Sequence, residues 1–372
     1  MWLIILALFA LVIVIGIVGF FVYRHYRGSD VIPPGEAWPG GDIPPDGKPQ
    51  PGVQGKYWVG ALGTLIKPVD LQLLPVTQDE INALPKEFNG WKDGGYLLPV
   101  RDQGQCGGCW AFATTECLGN MWNIYKKLYN SSAPTVGPLS VQYLLSCTNG
   151  KSYCGGGPCG IAPMGCGGGY LATGFTSFSM LDSSKNPYLG GNYLESDYPF
   201  GNIQGPSTQQ GTLSCSPPAR KNLPRFGFVR AYCVSRNAGF HTKTTLPKDD
   251  FMYPGKSRPT KEENQKRIKV ALMKYGPVAV TYKVHADFST ITRASNERQP
   301  YATKTNRTVG GHAVLIVGWG NDPTYGEFWW VQNSWGKNWC QDGFWRHSFQ
   351  DTSGLEDHGT IGIVDMRSYS TS

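Results

Sequence analysis

A chain of 372 residues has room for one large domain or two of ordinary size, and an aromatic content of 13% supplies a real core, which excludes a wholly disordered protein. The formal charge of +7 is spread along the length, with no Lys/Arg block and few aromatics among the basic residues, so nucleic acid is not an expected partner. All ten cysteines lie at or after Cys106, a density that points to an oxidising compartment and several disulfides, with metal binding as the alternative.

Residues 1–23, MWLIILALFALVIVIGIVGFFVY, form an apolar run long enough to span a bilayer as a helix. No charged residue opens the run and no A-x-A-like site follows it, so a retained transmembrane anchor is expected over a cleaved signal. Arg24, His25 and Arg27 follow directly, and the positive-inside tendency would leave the rest of the chain cytosolic. The cysteines argue for a lumenal or extracellular domain and are given the greater weight. Residues 24–55 are rich in Pro and Gly and read as a flexible linker; residues 56–83 read as a short pro-segment or more linker.

The globular domain is expected over 84–372. Trp110, Ala113, Cys117, Met121 and Ile124 recur at spacings of three and four, so 109–129 is predicted to be helical. Thr260 and Glu263 form a capping box ahead of KRIKVALMKYG, a helix stopped at Gly276-Pro277. VAVTYKV, HAVLIVGWG and EFWWVQNSWG read as strands. Helices first and strands later predict an α+β fold in two layers or lobes. His241, His285, His347 and His358 read as ordinary loop or surface residues.

The chemistry gathers on a few side chains. A thiol attacks a carbonyl well only as thiolate, which a nearby imidazole and a helix N-terminus both stabilise. Cys109 opens the predicted helix after the Gly-rich turn QGQCGGC, and His312 opens an apolar strand in GGHAVLIVGWG. The amide of Asn333 in NSWG is suited to orient an imidazole, and Gln103 to join the Cys109 N–H in binding an oxyanion. Two other readings of the cysteines stay open: a redox pair of Cys106 with Cys109, and zinc on Cys154, Cys159 and Cys166 with a His.

The segments VRDQGQCGGCWAF, LSVQYLLSC, GCGGGY, the HAV strand and WWVQNSWG occur in one order across roughly residues 84 to 369. Together they resemble the papain and cathepsin family of cysteine proteases. The resemblance implies a papain-like two-lobe fold, a helical lobe beside a β-barrel-like lobe with the cleft between them. It implies that Cys109 is the nucleophile, His312 the general base and acid, Asn333 its orienter and Gln103 the oxyanion donor, with Trp335 shielding the Asn–His bond. Gly168 and Gly169 would pair with substrate backbone, Tyr170 would line the pocket for the residue preceding the scissile one, and Met366 would lie at its floor. Disulfides are implied between Cys106 and Cys166 and between Cys147 and Cys215. Cys154 and Cys159, in an insertion, would pair with each other, and Cys117, on the inner face of the helix, would be a buried free thiol. Cys233 and Cys340 are given no partner.

The implied activity is peptide-bond hydrolysis through a thioester on Cys109, acting on proteins or peptides, with no metal and no organic cofactor, in a monomeric peptidase domain made as a zymogen. The absence of a paired-His occluding loop favours an endopeptidase. The alternatives are a catalytically silent peptide-binding pseudoprotease and a thiol-dependent transpeptidase. The chain departs from the family in several places. Gly108 replaces the usual Ser or Ala, and Ile361 stands where the closing strand has Cys. Cys109 and His312 are about 200 residues apart, against roughly 130–150 expected. The excess lies in 149–165 and around 183–265, read as neutral surface loops. Asn130-Ser131-Ser132 and Asn306-Arg307-Thr308 match the N-glycosylation pattern.

Overall fold

The computed structural model describes residues 50–51, 58–59, 72–129, 136–147, 165–171, 174–175, 191–201, 215, 223, 226–227, 230–236 and 259–363. The expected anchor at 1–23, Asn130, Cys154, Cys159, His241 and Met366 lie outside them. Nine strands are described: β1 Gln50–Pro51, β2 Trp58–Val59, β3 Gln72–Leu73, β4 Arg230–Arg236, β5 Val278–His285, β6 Thr308–Asp322, β7 Gly326–Gln332, β8 Phe344–Ser348 and β9 His358–Ile363. The helices are α1 Gln78–Asn82, α2 Gly90–Asp93, α3 Cys109–Tyr129, α4 Val141–Cys147, α5 Lys261–Tyr275 and α6 Arg293–Arg298.

Strands β3 to β9 form one sheet in the order β3-β4-β9-β5-β6-β7-β8, parallel only between β3 and β4. The β6 sequence is buried without interruption from His312 to Gly320. Both of its faces are covered, which explains why it reads as a continuous apolar run instead of an alternating one. Helix α3 packs against β5, β6 and β9.

The spacing along α3 predicts a single inner face, yet the helix is buried all round from Cys109 to Asn123. Most of its buried polar groups are bonded, Asn120 Nδ2 being an exception. Thr114 Oγ1 donates to the Trp110 carbonyl and Thr115 Oγ1 to that of Ala111. Asn120 accepts the Leu98 N–H, and Glu116 pairs with Arg101. Cys117 donates to the Pro277 carbonyl at 3.1 Å, and burial pushes its thiol up to about 12, which makes it chemically inert. Helix α5 begins with the expected capping box, Thr260 Oγ1 accepting from Glu263 N and Glu263 reaching back to Thr260 N, and ends at Gly276.

The segments read as linker and insertion contribute to this frame. Within 56–83, β3 joins the main sheet, Leu74 is buried in the core, and Thr77 and Glu80 form a second capping box on α1. Within the excess at 183–265, β4 pairs with β9 over six positions, so this part of the excess is integral to the sheet and not a surface loop. Two of the four histidines read as loop or surface residues, His285 and His347, are 93% and 99% buried. A lone polar residue in an apolar strand does not announce which way it faces. Among the described residues no helix is long and apolar enough to cross a membrane.

Candidate active site

Segments far apart in sequence are joined at one seam. The Gln103 N–H donates to the Ser334 carbonyl at 2.8 Å, and Gly336 N–H donates to the Arg101 carbonyl at 2.9 Å. Asp102 and Trp335 face each other as an antiparallel bridge. The Ser334 hydroxyl donates to Gln103 Oε1 at 2.6 Å, while Gln103 Nε2 donates to the Cys106 carbonyl at 2.8 Å. The loop leading to Cys109 is thus fastened to the loop carrying Asn333. Ser334 and Arg101, which act here, were not singled out in the sequence; Ser334 lies inside the NSWG motif and was overshadowed by its neighbours.

The Cys106–Cys166 disulfide ties the same loop to the turn at Gly165–Gly167, reinforced by Gly107 N–H on the Cys166 carbonyl. Cys147 and Cys215 form the second disulfide. Because Cys106 and Cys166 are bonded to each other, neither serves in a Cys106–Cys109 redox pair or as a zinc thiolate. No group of three potential metal-binding side chains exists among the described residues. Cys109 is the first residue of α3 and fully buried, at the end of the helix where unpaired N–H groups and the macrodipole favour an anion.

The tautomer of His312 follows from its partner. Asn333 Oδ1 receives the Ser334 backbone N–H at 2.8 Å, and an N–H can only donate, so that atom is the amide oxygen. His312 Nε2 lies 2.8 Å from the same oxygen and therefore carries a proton and donates it. In a neutral imidazole Nδ1 is then a lone-pair acceptor, and it is buried without a hydrogen-bond partner. Burial pushes the ring's pKa down to about 4, against the opposing pull of Asn333, so the resting ring is a neutral base. Trp335 stacks on the ring, centroids 5.0 Å apart at 27°, and is 98% buried, which keeps water from the Asn333 bond.

Gly168 and Gly169 follow the Gly165–Gly167 turn, and the turn is pinned by Trp110 Nε1 donating to the Gly165 carbonyl at 3.2 Å. A Cβ on Gly169 would lie 2.5 Å from the Trp110 ring, so only glycine permits this approach. Tyr170 is buried beside them, and desolvation raises its phenol to about 12. A Cβ on Gly108 would sit 3.0 Å from Cys106 Sγ and 3.2 Å from Leu145, a tight fit at that departure from the family pattern.

Comparison with known proteins identifies the family. Residues 84–369 match the model of the papain family cysteine proteases. A gut-specific cysteine proteinase of Caenorhabditis elegans is 28% identical over 292 residues, covering 75% of this chain and 74% of its own. The cathepsin B-like cysteine proteinase 3 of the same nematode is 26% identical over 295 residues, covering 77% and 68%. Among solved structures, proCathepsin B S9 from Trypanosoma congolense is similar over 84% of this chain and 87% of that one, with a TM-score of 0.55 at 17% identity. The digestive procathepsin L 3 of Tenebrio molitor larval midgut is similar over 80% and 75%, with a TM-score of 0.52 at 19% identity. At such identities the solved structures speak for the fold, while the family match spans most of the chain. The chain is a cysteine peptidase and belongs to the papain family of cysteine proteases.

Proposed function

We propose that the chain is an endopeptidase in which Cys109 attacks the scissile carbonyl and His312 serves as general base and then general acid. The observation that carries this reading is the His312 tautomer: Nε2 donates to Asn333, so Nδ1 holds the lone pair that takes the thiol proton. The thiolate, once formed at the start of α3, is stabilised by the helix N-terminus and by the imidazolium. The Cys109 N–H and the Gln103 amide bind the oxyanion. His312 then protonates the leaving amine, and the thioester is released by water that His312 deprotonates. Gly168 and Gly169 offer backbone to an extended peptide beside Tyr170. The test is hydrolysis of peptide substrates by native protein and by Cys109→Ala and His312→Ala variants, with labelling by a thiol-reactive epoxide. Activity in either variant, or a label on another cysteine, rejects the assignment.

The domain itself is placed on the lumenal or extracellular side, held to the membrane by residues 1–23 through the 24–55 linker. Two disulfides in the described residues support an oxidising compartment. Asn306, in the sequon Asn306-Arg307-Thr308, is exposed just ahead of β6 and open to glycosylation. Mass spectrometry of the native protein tests all of this together. A glycan on Asn306 and an N-terminus retaining residues 1–23 are the expected results; reduced thiols at all four disulfide positions with no glycan would place the domain in the cytosol.

A further inference from the structure

Behind the catalytic imidazole lies a second, fully buried polar cluster that the reaction as described does not use. Tyr282 on β5 stands opposite His312 on β6 in the antiparallel register, and their rings are 5.9 Å apart at 57°. Tyr282 also meets the ring of His347 on β8 at 5.8 Å, Phe288 at 5.7 Å and Trp345 at 6.1 Å. His347 in turn is immobilised at both nitrogens. Trp345 Nε1 donates to its Nδ1 at 3.3 Å, so its Nε2–H donates to Asp351 Oδ2 at 3.0 Å. Asp351 also takes the backbone N–H of Ser353 at 2.8 Å and of Thr303 at 2.6 Å. The Ser353 hydroxyl lies 3.4 Å from His347 Nε2. The residue types are those of a hydrolytic triad, but His347, Asp351 and Ser353 are each at least 98% buried, so no substrate reaches them.

What the cluster does follows from how His312 is held. Its ring is bonded at Nε2 only, and a ring held at one atom is able to pivot about that bond. Trp335 covers one side of it. We propose that Tyr282, backed by the His347–Asp351 couple, is a positioning residue that limits this pivot and holds Nδ1 in the orientation the reaction needs. Directional hydrogen bonds fix the torsions of His347 in a way that an aliphatic side chain at that place does not. That rigidity reaches His312 through the Tyr282 ring. The Tyr282 hydroxyl is buried and makes no hydrogen bond. Burial, then the neighbouring Tyr301, Asp351 and Cys109, keep it protonated, so it adds no charge beside the imidazole. The aromatic ring is therefore the working part.

The inference rests on His312 being the base, and inactivity of the Cys109→Ala and His312→Ala variants establishes that separately. The test compares Tyr282→Phe with Tyr282→Leu for kcat and KM on a peptide substrate, and for the pH dependence of Cys109 alkylation. Tyr282→Phe keeps the ring and is expected to stay within about two-fold of native kcat. Tyr282→Leu is expected to lose kcat about ten-fold with KM little changed, since small misplacements of a reacting group are expensive. A displaced imidazole stabilises the thiolate less, so the acid limb of alkylation moves to higher pH in Tyr282→Leu and stays put in Tyr282→Phe. His347→Asn is a second probe if Tyr282→Leu does not fold. It shortens the brace away from Tyr282 and is expected to shift the same limb in the same direction. Equal losses in the Phe and Leu variants, or an unmoved limb in both Tyr282→Leu and His347→Asn, overturn the proposal.

Discussion

Arg101 joins the nucleophile loop to the helical part of the fold, and its removal has a pH signature that can be worked from the structure. Its Nε lies 3.3 Å from Glu116 Oε1 on α3, Nη2 donates to Thr115 Oγ1 at 2.7 Å, and Nη1 donates to the Leu139 carbonyl at 2.8 Å and faces Glu195 at 3.4 Å. The Glu116 side chain is 4% exposed, and burial raises its pKa from 4.5 to about 7 although Arg101 pulls it down. A carboxyl with a raised folded pKa contributes stability that is fully present below 4.5 and lost as pH rises through about 7. At pH 8 Glu116 is mostly ionised and needs its partner; at pH 5 it is protonated and does not. Arg101→Met should therefore cost about 1.4 kcal/mol more at pH 8 than at pH 5, since pH 8 lies one unit above the Glu116 pKa of about 7 and the unpaired carboxyl takes up a proton instead. At pH 5 only the remaining hydrogen bonds are lost, worth about 1–2 kcal/mol. The assay is urea unfolding followed by tryptophan fluorescence at both pH values, with Cys109→Ala as the background to prevent self-digestion. Adding Glu116→Gln should recover the extra loss at pH 8. Equal costs at the two pH values, or no recovery in the double variant, would refute the reasoning.

Three further outcomes are expected. In Cys109→Ala the His312 ring, relieved of any thiolate, should titrate near 4 by imidazole NMR; its stability contribution is present above about 6.5 and lost as pH falls through about 4, and titration at 6 or above contradicts the burial argument. Asn333→Ala removes the acceptor that sets the tautomer, and kcat should fall by about 100-fold or more with KM far less affected; native kcat would rule out the orienting role. Gly169→Ala forces a Cβ against Trp110 and should raise KM for peptides more than it lowers kcat, and unchanged kinetics would remove this segment from the substrate path.

The helices at 109–129 and 261–275 were legible because burial spacing and a capping box are local signals, and their observed ranges agree with those signals. The partnership of His312 with Asn333 and the helix start at Cys109 were legible from motifs whose residue types are dictated by chemistry. The frame that joins them was not. β3 is two residues long and pairs with β4 across an interval of more than 150 residues, and nothing within either segment announces the other. Arg101 read as one more basic residue, since its four bonds go to residues scattered from Thr115 to Glu195. His347 read as surface because its identity is polar; only the fold supplies Asp351 and Trp345 to satisfy it.

The seam between the 101–103 and 334–336 segments has a consequence for biosynthesis. On a ribosome adding about 5–20 residues per second, roughly 10–40 s separate the appearance of Cys109 from that of His312. Until roughly the last sixth of the chain emerges, the proposed nucleophile has neither its proposed base nor the carbonyl of Ser334 to hold its loop. On the proposed assignment, a truncated or stalled polypeptide carries the nucleophile without a complete site.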